Sequence, residues 1–125
     1  MKRIINSANA PAPIGPYNQA VLVENTLYIS GQIAMDANSG ALETSTIKAE
    51  TKKVMDNLGA ILNEVGADYS NIVKCSIFVS DIKNFDLINE VYAHYFTDNF
   101  PARELVEVAC LPKNVNVEIS AIASL

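Results

Sequence analysis

The stretch from Pro101 to Ala121, PARELVEVACLPKNVNVEISA, decides how this chain is read. Val115, Val117, Ile119 and Ala121 alternate with Asn116, Glu118 and Ser120. Strict alternation marks a strand with one buried face. Glu118 therefore leaves the face opposite the most apolar one. Arg103 stands just past Pro101 on a second strand-like run. A charge on the second face of a small sheet needs water, a partner or a chemical task. By residue type alone, this arginine and glutamate fit a surface ion pair first and a site second.

The rest of the chain frames that pair. Lys2 to Ile5 reads as a short edge strand. Ala8 to Tyr17, ANAPAPIGPY, carries three prolines and a glycine, so it is neither helix nor central strand. It reads first as a surface loop with a packed Tyr17, and second as a lid or pocket wall. Gln19 to Val23 and Thr26 to Ser30 read as a hairpin around Glu24-Asn25, with Ser30-Gly31-Gln32 ending the strand. Thr46 to Val65 is a helix by the spacing of Ile47, Val54, Leu58, Ile61, Leu62 and Val65, capped by Thr44 or Ser45 and stopped at Gly66. Gly59 inside it suggests close packing on the sheet. Ile72 to Ser80 is a strand with Val73, Cys75, Ile77 and Val79 on one face. Phe85, Ile88, Val91, Tyr92, Tyr95 and Phe96 mark a second helix, with Asn89 on its interior side.

The predicted order is β-β-β-α-β-α-β-β, an α+β layer with two helices on one face of a sheet. Two helices leave the other face bare. Tyr28, Ser30, Phe78, Val106, Val108, Asn116 and Glu118 would lie there, a mixture too apolar for water and too polar for a dry core. Such a face predicts a closed homo-oligomer with clefts where subunits meet.

Composition bounds the function. The chain has 125 residues, 50% of them apolar, which predicts one domain over residues 1–125. No run of eighteen apolar residues occurs, so no membrane span is expected, and MKRIINSANAPAP lacks the apolar region of a signal peptide. Cys75 and Cys110, both in strand-like runs, show no disulfide framework and predict a reduced, cytoplasmic protein. The net charge of −5 counts against phosphate-driven nucleic-acid binding. His94 is the only histidine, so neither a metal site nor a Ser-His-Asp triad is expected. Cys75 reads as a small core residue.

IGPY at 14–17, SGQI at 30–33, INEVY at 88–92 and PAR…VEVACLPKNVNVEISAIA at 101–123 closely resemble the Rid family. These are the reactive-intermediate imine/enamine deaminases, also called YjgF-like or liver perchloric-acid-soluble proteins. The resemblance implies a chorismate-mutase-like fold with a mixed sheet and a homotrimer with sites at the subunit interfaces. It implies hydrolysis of 2-imino acids, in exchange with enamines such as 2-aminoacrylate, to 2-oxo acids and ammonia without a cofactor. It assigns Arg103 to the substrate carboxylate and Glu118 to water and proton transfer. Tyr17, Ser30, Gly31 and Asn89 match the family's pocket positions. Glu104 and Leu105 stand where the best-known members have Ser-Cys, Cys110 where arginine is common, and Ser120 where an acid is common. Ribonuclease activity, attributed to some relatives, and a non-catalytic metabolite-binding trimer are the alternatives.

Overall fold

The computed structural model describes residues 1–125. Eight elements follow the predicted order: β1 (Lys2–Ile5), β2 (Ala20–Val23), β3 (Thr26–Gln32), α1 (Ile47–Asn63), β4 (Ile72–Val79), α2 (Phe85–Ala93), β5 (Ala102–Glu107) and β6 (Val117–Ser124). They form one six-stranded sheet in the order β1-β2-β3-β6-β4-β5. Every pair is antiparallel except β4–β5. That parallel pair needs a crossover, and α2 supplies it. No helix is long and apolar enough to cross a membrane.

The core lies on one face of the sheet. Leu27, Ile29, Cys75, Ile77, Val79, Val117, Ile119, Ala121 and Ala123 meet Val54, Met55, Leu58, Ile61 and Leu62 of α1 and Ile88 and Tyr92 of α2, all buried. The other face is open apart from a small second cluster at one end, where Ile33, Met35, Leu111 and Val115 are buried against Phe78 and Val108. Across this face the register lines up Tyr28, Ile122 and Lys74; then Ser120, Ser76 and Glu104; then Glu118, Phe78 and Val106. Tyr28 and Val106 are exposed, and Lys74 pairs with Glu104 at 3.2 Å. The mixture read from the sequence is present on this face except at Asn116, which precedes β6 and turns its side chain to Glu50 of α1, while Val115 packs with Phe78 instead of with the main core.

Several local expectations are corrected. Thr46, not Thr44 or Ser45, caps α1: it is the last extended residue, and its hydroxyl accepts from the Ala49 amide. The helix ends at Asn63 rather than Val65; Gly66 then takes a left-handed φ of 70° and lets the Ala67 amide reach the Leu62 carbonyl. The second helix ends at Ala93, and Tyr95 and Phe96 reach the core from the turn that follows. In β4 a bulge between Ile72 and Lys74 turns Val73 outward and puts Ile72 in the core. Cys110 lies outside any strand and is exposed. The last strand begins at Val117, after a turn over Pro112–Asn114 in which Lys113 and Asn114 have positive φ.

Gly59 has a different neighbour from the one expected. A Cβ there would lie 2.1 Å from the Tyr69 hydroxyl oxygen, which donates to the Met55 carbonyl at 2.8 Å. Tyr69 is held in place by edge contacts with Tyr95 and Phe96. Burial, with Asp56 nearby, pushes its phenol up to about 12. Gly59→Ala would gain about 1 kcal/mol of helix propensity. The forced displacement of a wedged ring should outweigh it, so thermal unfolding should show a net loss of about 1–2 kcal/mol.

Candidate active site

Arg103 sits opposite Cys75 in the β4–β5 register, on the helix-covered face. Phe85, Asn89 and Tyr92 recur at i, i+4 and i+7, so one stripe of α2 meets it. The guanidinium carbon lies 5.1 Å from the Tyr92 ring centre and 5.8 Å from that of Phe85. Both rings offer their electron-rich faces to a cation. Asn89 Oδ1 accepts from Arg103 Nη1 at 2.7 Å. No carboxylate of the chain lies within ion-pair distance of Arg103. The cradle therefore holds the arginine's aim and leaves most of its donors unspent. Arg103, Asn89, Tyr92, Ala93, Phe100 and Pro101 line a shallow cavity at the edge of the sheet.

Glu118 occupies a separate place. It stands opposite Phe78 in the β4–β6 register, on the open face. A one-residue bulge in β3 falls between Ile29 and Gln32, so the strand runs through Ser30 and Gly31 instead of ending there. The bulge brings Gly31 under the carboxylate. A Cβ on Gly31 would come within 2.6 Å of Glu118 Oε2, so only glycine leaves the carboxylate this room. The Glu118 side chain makes no hydrogen bond within the chain, and burial pushes its carboxyl above the usual range. Glu118, Gly31, Tyr17, Pro11, Ile33 and Pro112 are among the residues lining this pocket.

The proline-rich loop is a wall of that pocket, the second of its two readings. One buried side chain fastens it. Gln19 Nε2 donates to the carbonyls of Ser7, Ala10 and Pro11, while its Oε1 accepts from the Ser7 amide at 2.6 Å. The Ser30 hydroxyl donates to the Asn18 carbonyl at 2.6 Å and ties the loop's far end to the bulge. Ser30 lines neither cavity. Tyr17 Oη accepts from the Ile14 amide at 3.3 Å.

The six residues singled out by sequence thus fall into two groups. Tyr17, Gly31 and Glu118, with Ser30 at the margin, form one cluster; Asn89 and Arg103 form the other. Arg103 and Glu118 leave opposite faces of the sheet, so the ion pair considered from sequence is not made. Glu104 does not compete for Arg103 either, because it turns to Lys74 and Ser76 on the open face. Leu105 packs against the core. No three His, Cys, Asp or Glu side chains gather as a metal-ligating set. Gln19, Phe85 and Tyr92 were not singled out. The stripe of α2 was legible as a period; the reach of Gln19 across the loop was not.

The profile of the Endoribonuclease L-PSP family matches residues 7–125. The chain belongs to this family, also known as YjgF/Rid. A human protein named 2-iminobutanoate/2-iminopropanoate deaminase is 48% identical over 123 residues, covering 98% of this chain and 90% of its own. A Yersinia pestis structure from the conserved Rid protein family superposes with a TM-score of 0.96 at 42% identity, covering 100% of both chains. Escherichia coli TdcF with bound serine superposes at 0.94 with 35% identity over 98% of each chain.

A buried phenol of this family member lies beneath the arginine. The Tyr92 hydroxyl is buried with no partner of good hydrogen-bond geometry, its polar neighbour being the Cys75 thiol. Burial and the neighbouring Cys75 thiol both raise its pKa. Tyr92→Phe keeps the ring over Arg103 and removes the orphan. Chemical denaturation should show stability unchanged or increased by about 1 kcal/mol.

Proposed function

We propose that the protein hydrolyses small 2-imino acids, in exchange with their enamines, to 2-oxo acids and ammonia. The observation that carries this reading is Arg103: a guanidinium cradled by two aromatic rings and Asn89, with no carboxylate of its own. A planar fork of unspent donors fits a substrate carboxylate in bidentate fashion. The name of the human relative and the serine held by TdcF point to the same ligand class, an amino-acid-like carboxylate.

The chemistry needs one more group. Water adds to the C2 carbon of the imine, giving a carbinolamine; the C–N bond then breaks as the second hydroxyl proton leaves. Glu118 is the candidate for moving those protons, taking one from water and returning it to the departing nitrogen. Its half-buried position and lack of internal partners leave both oxygens free for water. Tyr17 walls the site and Gly31 gives the carboxylate room. The imine is already electrophilic, so the reading invokes no cofactor. We place the reaction in the cytoplasm, on the two free cysteines, one of them exposed.

Arg103 and Glu118 leave opposite faces of one sheet, so one substrate meets both only between two copies of the chain. The bare, mixed face supports a closed homotrimer in which Arg103 of one subunit faces Glu118 of the next. Mixing Arg103→Ala with Glu118→Gln subunits tests this. Each variant alone should lose more than about tenfold in turnover. After subunit exchange, mixed assemblies should regain activity that neither parent has, because some interfaces then carry both native residues. Activity is read by generating the imine with an amino-acid oxidase and trapping it with semicarbazide. Absence of recovery in assemblies shown to be mixed would place both residues in separate roles.

The pH dependence follows from the raised carboxyl. Glu118 acts as a base only when ionised, and its pKa lies above the ordinary value of about 4.3. Activity should therefore rise with pH through a limb displaced upward from the usual glutamate range. Glu118→Gln should remove that limb from whatever activity is left.

A further inference from the structure

The first turn of α1 contains a glutamate that the reaction does not use. Glu50 is fully buried. Acidic residues in a first helical turn ordinarily face solvent and complement the helix dipole. This one is turned inward against the start of β6. Its Oε2 accepts from the backbone amides of Asn116 at 2.7 Å and Val117 at 3.0 Å, and its Oε1 accepts from Asn116 Nδ2 at 2.8 Å. Asn116 is held from the other side too: its Oδ1 accepts from the Ser80 hydroxyl, and its carbonyl from the Ser80 amide. Both bonded amides lie within two residues of Glu118.

A second polar side chain two turns along α1 does the same for the segment that follows β3. Asn57 is buried, and its Nδ2 donates to the carbonyls of Ile33 and Met35 at 3.0 and 3.1 Å. Those residues follow directly from the bulge that carries Gly31, and both line the Glu118 pocket. Buried charge-assisted bonds are short, directional and costly to break. One helix thus grips both walls of the pocket from behind the sheet.

We propose that Glu50 is a positioning residue for Glu118: it holds the Asn116–Val117 backbone and so sets the carboxylate of Glu118 over Gly31. This rests on the role given to Glu118 above. The clamp works by geometry, with charge secondary. In Glu50→Gln the amide oxygen can still accept both backbone amides. Asn116 can then turn its amide over, offering Oδ1 to the new NH₂ and Nδ2 to Ser80. In Glu50→Ala all three bonds are lost.

The test compares Glu50→Gln, Glu50→Ala and Asn116→Ala with wild type, by imine turnover and by NMR titration of the Glu118 carboxyl carbon. Glu50→Gln should stay within about threefold of wild-type kcat, whereas Glu50→Ala should lose at least about tenfold, as misplacement of a reacting group does. Asn116→Ala should fall between them, and carries the test if Glu50→Ala does not fold. KM should hold throughout, because the substrate carboxylate is held by Arg103. The Glu118 titration should move toward an ordinary glutamate in Glu50→Ala and Asn116→Ala and stay in place in Glu50→Gln. Unchanged kcat and titration in a folded Glu50→Ala or Asn116→Ala would overturn the proposal, as would kcat and KM changing together with melting temperature. If wild type shows no imine turnover but the titration follows the predicted order, the clamp stands and the deaminase reading falls.

Discussion

Strand alternation is the constraint on which the rest of this structure depends. Neighbouring residues in a strand point to opposite faces, and the pairing register fixes which face each strand presents. Arg103 is in phase with Cys75 and Glu118 with Phe78. The cation is thereby committed to the helix side and the carboxylate to the bare side. A change of one residue in either register would reverse that assignment. The bulge in β3 is such a local change, and its effect is to bring Gly31 under Glu118.

The two clusters are stabilised by different physics. Arg103 lies among polarisable rings and one amide oxygen, so its charge is supported without being neutralised. Glu118 has the opposite situation: partial burial and no donor, which favours its protonated form. A positive group kept short of an anion and a negative group kept short of a donor are complementary deficits. The two do not touch within one chain, since they leave opposite faces of the sheet.

The fold was legible because its periods are clean. Alternation along Val117 to Ala121 and the helical spacing of Val54, Leu58, Ile61 and Leu62 point to the same layer. Ile72 and Val73 were misread because a bulge has no period of its own. The candidate residues were recognisable by type and by resemblance, but their division between two faces follows from the inter-strand register, which no local pattern states. Glu50, Asn57 and Gln19 were invisible for a related reason. Each is polar on an element where polar residues normally meet water, and only the packed structure shows them turned inward to bond backbone far away in sequence.

Gln19 also gives the proline-rich wall a particular mechanical character. Four hydrogen bonds from a single amide group hold the segment at Ser7, Ala10 and Pro11. Pro13 and Pro16 stiffen the stretch between these points and Gln19 and cannot donate ladder bonds of their own. The Ser30 hydroxyl holds the far end at the Asn18 carbonyl. A stiff segment held at both ends keeps the pocket wall in shape, and four of its fastenings belong to one glutamine.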